Sequence, residues 1–366
     1  MAQQAIKTIT AGWDIGGAHL KAAVAQDGRI LGAWQTACPI WQGRDKLDAA
    51  FAEIIAAMAA ASMPNVSQHV CTMTAELSDI FASRAAGVAA LAEIAARHLG
   101  DATCVYAGRA GFVAARAAAA HSDDIASANW HASAAYVAGR VQNALLIDIG
   151  STTTDIVPII DGAVAARGYS DAERLVAGEL VYTGLVRSFL MSFTAAVPFK
   201  GAQTPLMHEY FANMGDVYRV LGELPEGADL QATADGRDKS LAASRARLAR
   251  MIGRDVIEGG LEDWRLLALA FKRAQMRTVE TAVLQVLSGG AAADAPFVAA
   301  GAGAPVVEVI AAGLRRRCFG FASLLNCAPE VAAMVGACAP ASALALLAAA
   351  KGNPGYMALE RKRKQR

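Results

Sequence analysis

Neither charge sign dominates this chain, in which 34 basic residues face 33 acidic ones. Five of the basic residues fall within the closing RKRKQR, which leaves residues 1–360 at about −4 and without a basic face for nucleic acid. No nucleic-acid partner is expected, and residues 351–366 read as a solvated basic tail. The cysteines, Cys38, Cys71, Cys104, Cys318, Cys327 and Cys338, form no C-x-x-C, and the opening residues show no charged-then-apolar leader. A reduced, cytoplasmic protein is the expectation. Three chemical signatures are missing: G-x-x-x-x-G-K-[ST], H-E-x-x-H and G-x-S-x-G. The six histidines form no spaced metal pair either. A serine or cysteine hydrolase and a zinc enzyme therefore lack support. Long uncharged runs are scarce, residues 331–350 being the one that invites a membrane test. Alanine dominates it and Pro340 interrupts it, so two buried helices are expected in place of a span, and no membrane partner.

Only 6% of residues are aromatic and 18% charged, yet 55% are apolar, which excludes disorder. At 366 residues the chain can build two domains with cores of their own. Its centre of organisation is LLIDIGSTTTDIVPIID, residues 145–161. An apolar run reaches Asp148, then Gly150, Ser151, Thr152, Thr153 and Thr154, then Asp155 and a second β-branched run. Two strands joined by a tight polar turn fit this pattern. Gly150 removes a side chain from the turn, and backbone N–H groups with the hydroxyls of 151–154 can converge on one anion. Carboxylates beside phosphate oxygens ordinarily serve Mg²⁺, so Asp148 and Asp155 are candidate metal ligands. The alternative is an ordinary hairpin whose hydroxyls satisfy its own backbone.

The pattern occurs twice. Residues 8–13 form a strand-like run, followed by Asp14, Ile15, Gly16, Gly17, Ala18 and His19 and a second apolar run at 20–25, 134 residues before its counterpart. Asp14 is the matching metal candidate; Gly16, Gly17 and Lys21 are the matching phosphate candidates. Here Ala18 and His19 stand where a second phosphate hydroxyl would be useful, which weakens the case for ATP.

These residues resemble the acetate and sugar kinase, Hsp70 and actin superfamily, whose two halves each open on such a hairpin. GWDIGGAHLK is similar to its first phosphate motif, IDIGSTTTD to its second, and FVAAGAGAPVVEVIAAGL, with Gly301 and Gly303, to its adenosine motif. Within the superfamily, TMTAELSD (72–79), ANW (128–130) and TADGR (233–237) most resemble hydantoinase/oxoprolinase-related proteins of the tetrahydromethanopterin-linked C1 pathway. That resemblance implies an α/β fold of two actin-like (RNase H-like) domains with an interdomain cleft, into which Asp14 and Asp148 would both point. It also implies a cytoplasmic transferase that condenses an aminomethylfuran diphosphate with a glutamyltyramine phenol, releasing pyrophosphate, in methanofuran or methylofuran biosynthesis. Mg²⁺ is the implied cofactor, ATP use stays open, and a homo-oligomer or a C1-pathway protein partner is compatible with it. An ATP-dependent kinase, a hydantoinase/oxoprolinase-like hydrolase and a non-catalytic nucleotide-binding partner remain as rivals.

Strand and helix patterns alternate through residues 1–142, giving a first domain. Residues 143–350 give a second, with a mostly helical insertion at about 172–287 broken near 198–205 and 222–239. Helical material is expected over 110–141, with a break implied by Asp123, Asp124 and Asn129. Candidate chemistry outside the hairpins lies in three places. Glu76, at the end of a predicted strand, is the first candidate for a base toward a phenol, with Asp79 and Asp235 behind it. A capped helix start is the competing account of Glu76. Asn129 and Trp130 could meet an aromatic substrate, although a tryptophan is more often packing. Arg237 and Arg247 could meet a substrate carboxylate or diphosphate, a solvated helix face being the alternative.

Overall fold

The computed structural model describes residues 8–290 and 294–351, so the basic tail beyond residue 351 lies outside the described residues. In chain order the first elements are β1 (Ile9–Ile15), β2 (His19–Gln26), β3 (Arg29–Ala37), α1 (Asp45–Ala60), β4 (Gln68–Met73), α2 (Arg84–Leu99), β5 (Cys104–Tyr106), β6 (Phe112–Ala114), α3 (Ser122–Ile125) and α4 (Asn129–Ala138). Then come β7 (Ala144–Ile149), β8 (Thr154–Ile160), β9 (Ala163–Val164), α5 (Asp171–Ala177), β10 (Leu180–Val181), β11 (Ala196–Phe199), β12 (Ala202–Pro205), α6 (Met214–Leu221), α7 (Leu241–Met251) and α8 (Leu261–Ser288). The last are β13 (Phe297–Ala300), α9 (Ala304–Gly313), β14 (Cys318–Gly320), β15 (Asn326–Cys327), α10 (Pro329–Ala337) and α11 (Ala339–Lys351).

The chain divides into two compact units. One comprises the residues through Gln142, Ile159–Val164 and those from Gly320 onward; the other comprises Asn143–Pro158 and Ala165–Phe319. In the first unit the strand order is β15-β3-β2-β1-β4-β5-β6, an antiparallel β1–β2–β3 meander continued by parallel β4 and β5. β1 is buried on both faces, as expected of a strand with helices on either side. Ala11, Trp13 and Ile15 join Phe51, Ile54, Val88 and Leu91 of α1 and α2 in one core. The intervening Gly12 lies under α11, where a Cβ would come within 2.6 Å of Ala345 N.

That contact corrects the expected domain extent of 143–350, because residues 320–351 belong with the first unit. α11 returns to cover the first sheet, and its small side chains allow close approach to a strand that has glycine at the crossing. Ala341, Leu344 and Ala345 are fully buried there. No single described helix is long and apolar enough to cross a membrane; α10 and α11 pass that test only as a pair bent by 104°.

In the second unit the order is β10-β8-β7-β13-β14, with β13 parallel to β7 and Ala300 level with Asp148. Leu145, Ile147, Phe297 and Ala299 share a core with Phe271, Val279 and Val283 of α8 and Ile310 of α9. The insertion contains four helices, α5 to α8, but it is less helical than expected. Residues 198–205 fall in the β11–β12 hairpin, closed by Lys200 and Gly201, both at positive φ (46° and 81°). Two positive φ values in a two-residue loop suit the twist of antiparallel strands. Residues 110–141 are less helical than expected, since Phe112–Ala114 is a strand and Ala115–His121 winds as a 3₁₀ turn, while the expected break falls between α3 and α4.

Gly12→Ala places a methyl group against the backbone of α11, and overpacking of this kind costs about 1–3 kcal/mol. The urea midpoint followed by circular dichroism should fall accordingly. An unchanged midpoint would contradict the seating of α11 on β1.

Candidate functional site

In the second unit β7 ends at Asp148-Ile149, and the turn to β8 is closed by Gly150 N donating to Thr153 O at 2.9 Å. The segment after β10 lies along this turn. Leu185 N donates to Gly150 O (2.9 Å), and Val186 N and Arg187 N donate to Ser151 O (3.1 and 2.9 Å). Such an approach requires Gly184, since a Cβ there would sit 2.5 Å from Ser151 C and Thr152 N. On another side, Gly301 adopts φ +76° and passes against Asp148 and Ile149, while Gly303 N donates to Ile149 O at 2.9 Å. The structure thus gathers Asp148, Gly150, Ser151, Thr152, Thr153, Gly301 and Gly303, all of them expected at a phosphate site.

The chemistry of this turn follows from which of its polar groups are occupied. The Gly150 and Ser151 carbonyls already accept from the 185–187 segment, and Thr154 Oγ1 donates to Thr183 O at 2.7 Å. Ser151 Oγ is buried without a hydrogen-bond partner among the described residues. A buried hydroxyl in that state is costly unless a ligand or water completes it. α9 also begins beside this turn, its N-cap Gly303 being bonded to Ile149 O, and a helix N-terminus carries the positive end of the helix dipole. An anion fits the donors, and a divalent cation on Asp148 fits the carboxylate beside them. Among the described residues no group of three or more His, Cys, Asp or Glu could hold a metal unaided. Mg²⁺ commonly takes one or two carboxylates and completes its shell with phosphate oxygens and water.

Residues that carried no motif hold this turn in place. Gln275 of α8 donates to Thr183 Oγ1 (2.8 Å) and Gly184 O (2.7 Å) and accepts from Tyr218 Oη of α6 (2.8 Å). Ser188 Oγ accepts from Gly184 N at 2.8 Å. Burial pushes the Tyr218 phenol up, so it remains a donor to Gln275. The sequence signal for this relay is a glutamine on the apolar face of a long helix, where a polar side chain needs buried partners.

Several expected site residues serve the architecture instead. Asp155, a metal candidate, accepts from buried Arg174 Nη1 at 2.8 Å, while Arg174 Nη2 donates to Glu179 O at 2.8 Å. Burial raises the Asp155 carboxyl and Arg174 opposes that shift. Arg247, a substrate candidate, is fully buried. Its Nε and Nη2 bind Asp216 Oδ1 (2.9 and 2.7 Å), Nη2 also binds Ser244 Oγ (3.1 Å), and Nη1 binds Asp235 Oδ1 and Asp238 O (both 3.1 Å). An arginine has five N–H donors, and all five are committed. Asp235 also accepts from Arg250 Nη1 at 3.2 Å and Arg237 N at 3.2 Å. Burial pushes its carboxyl up, but the Arg237 N–H and the Arg247 and Arg250 guanidiniums outweigh burial and hold it below the usual range. Both oxygens of Asp235 are thus engaged, Oδ1 by Arg247 and Arg237 N and Oδ2 by Arg250, which makes it an anchor of the ion-pair network. Arg237 is exposed, and TADGR closes on itself through Thr233 Oγ1 to Arg237 O at 2.7 Å.

In the first unit Gly16 N donates to His19 O at 2.9 Å, forming the expected turn, while a Cβ at Gly17 would meet open space. Asp14 is buried, level with Lys21 on β2 and Thr72 on β4. Lys21, a phosphate candidate, donates through Nζ to Ala337 O at 2.9 Å, at the carbonyl end of α10. It complements a helix C-terminus there, a role favourable for a cation.

Glu76 is buried in a 3₁₀ turn, Ala75–Leu77, and accepts from Ser127 Oγ at 2.9 Å. Arg84 Nη2 lies 3.2 Å from Ser127 Oγ and 3.8 Å from Glu76 Oε1. The TMTAELSD and ANW segments therefore meet, Glu76 against the residue before Ala128. A helix-cap role does not apply, because Ser83 caps α2 by accepting from Ala86 N at 3.2 Å. Asp79 is exposed. Asn129 Oδ1 accepts from Trp130 N at 2.7 Å, and Trp130 is 3% exposed with its ring in edge contact with His131. The Trp130 ring is thus packed in the interior of the first unit.

A family model described as hydantoinase/oxoprolinase matches residues 68–348. A Methanocaldococcus jannaschii protein named (4-{4-[2-(gamma-L-glutamylamino)ethyl]phenoxymethyl}furan-2-yl)methanamine synthase is 30% identical over 251 residues, which are 68% of this chain and 73% of that protein. A Methanococcus vannielii protein of the same name is 38% identical over 115 residues, 31% of this chain and 51% of that protein. Among solved structures, nucleotide-free acetone carboxylase superposes with a TM-score of 0.54 at 12% identity, covering 91% of this chain and 70% of that one. The likeness is one of fold, and the two hairpin-led α/β units are actin-like.

The depressed Asp235 carboxyl gives a pH test of its structural role. A group whose folded pKa lies below its unfolded value of about 3.9 contributes stability that is present above that value and lost as pH falls toward the folded one. The stability difference between the parent and Asp235→Asn should therefore be full near neutrality and shrink below about pH 4. Urea midpoints across that range check it, and a difference independent of pH would contradict the ion-pair account.

Proposed function

The chain belongs to the hydantoinase/oxoprolinase family, and on that premise we propose that it is a transferase joining the phenol of a tyramine derivative to an aminomethylfuran diphosphate. The phenol oxygen forms a bond to the furan methylene carbon. The bond from that carbon to the diphosphate oxygen breaks, its electron pair leaves on pyrophosphate, and the phenol proton passes to a base. The name of the archaeal relatives describes the ether that such a step forms, a phenoxymethyl furan.

The observation that carries this reading is the turn at Gly150–Thr153, where the carbonyls of Gly150 and Ser151 are occupied and Ser151 Oγ is buried without a hydrogen-bond partner among the described residues. Donors fixed before the reaction stabilise charge that develops on a leaving group without reorganising at the moment of transfer. The α9 N-terminus adds to them. Asp148 is the proposed holder of Mg²⁺, which when bound would supply positive charge to the diphosphate; Asp14 offers the first hairpin the same carboxylate. The first turn has Ala18 and His19 in place of hydroxyls, which favours a diphosphate ligand over ATP. A phenol ionises near pH 10, so a base is useful at neutrality, and Glu76 is the proposed one.

Purified protein given the furan diphosphate, the glutamyl-tyramine and Mg²⁺ without ATP should release pyrophosphate and the ether in equal amounts. ADP formation, or a strict need for ATP, would move the assignment to a kinase or hydrolase. Asp148→Asn should keep the fold and lose most Mg²⁺-dependent affinity for pyrophosphate, measured by calorimetry; unchanged affinity removes Asp148 as metal holder. Glu76→Gln can still accept from Ser127, so its melting temperature should hold while turnover falls about 10²–10⁴-fold. Parent-like turnover with chemistry rate-limiting would take Glu76 out of the reaction.

A further inference from the structure

Beside the phosphate turn lies an aromatic cluster that no motif covers. The segment from Thr183 to Ser188 is tied to the turn on one side by the donors of Leu185, Val186 and Arg187, and to the start of α6 on the other. There Gly215 N donates to Val186 O and Met214 N to Ser188 O, both at 3.1 Å. Arg187 thus leaves the backbone next to Ser151. Burial lowers the pKa of its guanidinium, and the phenols of Tyr182 and Tyr210 are close enough to act on it. Tyr210 packs edge-on against Phe189, with ring centroids 5.0 Å apart, and accepts through Oη from Asn213 Nδ2 at 3.2 Å.

The three rings are also unusually open to solvent: Tyr182 is 65% exposed, Phe189 50% and Tyr210 43%. Among the described residues the only other comparably exposed aromatic side chain is Trp41, at 38%, in the first unit. In a chain with 6% aromatics, an exposed Tyr182, an exposed Phe189–Tyr210 pair and Arg187, all on or against the strip that lies along the turn, point to a ligand that has a ring and an anion joined by a short link.

We propose that Arg187, Tyr182, Phe189 and Tyr210 form the ring subsite of the second unit, receiving the heteroaromatic methyl diphosphate whose phosphates occupy the Gly150–Thr153 turn. This rests on the transferase reading and adds the part of the site that selects the donor substrate. Arg187 faces the diphosphate with planar donors matched to phosphate oxygens. The aromatic side chains face the furan. As the carbon–oxygen bond to the diphosphate lengthens, positive charge grows on the methylene and spreads into the furan, and neighbouring aromatic faces favour cations. The electron pair of that bond leaves on pyrophosphate, and Arg187 stays at the leaving group throughout.

Calorimetry in Mg²⁺ buffer with two probes tests the subsite: inorganic pyrophosphate, and a furfuryl methylenebisphosphonate that carries the ring but cannot react. Tyr182→Ala and Phe189→Ala should each weaken the furfuryl probe about five-fold, as expected for loss of an aromatic contact, and leave pyrophosphate within about two-fold. Arg187→Gln should weaken both probes about ten-fold or more, with Arg187→Lys recovering part of the pyrophosphate affinity. All these side chains are at least partly exposed, so melting temperatures should stay at the parent value. Ring variants that weaken both probes alike, or neither, overturn the subsite while the transferase reading stands. A parent protein that binds neither probe overturns both.

Discussion

The tight turn that follows β7 must have its carbonyls satisfied from outside itself, and that constraint organises the second unit. Buried carbonyls without partners are costly, so the turn at Gly150–Thr153 needs a second strip of backbone to donate to it. Leu185, Val186 and Arg187 supply those donors. The strip is irregular and is held by Ser188 Oγ together with Gln275, which bonds Thr183 and Gly184 from α8 and accepts from Tyr218 of α6. Helices of the insertion therefore reach the Gly150–Thr153 turn through hydrogen bonds that no motif in the turn reveals. Replacing Gln275 by an apolar residue would leave Thr183 Oγ1 and Gly184 O to Ser188 Oγ alone and strand the buried Tyr218 hydroxyl, at a cost of about 1–3 kcal/mol.

Charge inside the insertion serves the same purpose. Arg174 ties α5 and β10 to β8 through Asp155 and Glu179 O, and Arg247 ties α7 to the start of α6 and to the 233–238 loop through Asp216 and Asp235. A buried ion pair contributes little net stability over an apolar substitute, yet removing one partner costs about 3–5 kcal/mol because the other is left charged and dry. Such pairs make the packing specific without making it especially strong. Arg187, whose backbone N–H is tied to Ser151 O, is by contrast only partly buried.

The hairpins were legible because a strand, an aspartate, a glycine and small polar residues have to follow one another along the chain, and the pattern recurs. Partnership was not legible. Lys21, Arg247 and Asp155 are residue types that bind phosphate, carboxylate or metal, and each spends that capacity on a helix end or an ion pair fixed by tertiary folding. The return of α11 to the first sheet depends on Gly12 lacking a side chain at one crossing, a coincidence between residues more than 300 apart that periodicity cannot carry. The β11–β12 hairpin was hidden by Pro198 and Pro205, which read as breaks but are tolerated in a two-stranded ribbon where both strands are edges. The Arg187 cluster had no signal beyond aromatic residues spaced through a segment expected to be helical.

Glu76 shows how far a local reading goes. The sequence placed it at a strand end and left base and cap as equal accounts; the fold excludes the cap and gives Glu76 a hydroxyl partner 51 residues away. That partner, Ser127, has φ +53°, a left-handed conformation that only glycine adopts without strain. Strain of this kind costs on the order of 1–3 kcal/mol and persists where the surroundings over-determine it. Glycine would relieve the backbone here but would remove the hydroxyl that links Arg84 to Glu76. Serine satisfies the side-chain requirement at the expense of the backbone one, so the position of the Glu76 carboxylate outweighs local conformational ease at this turn.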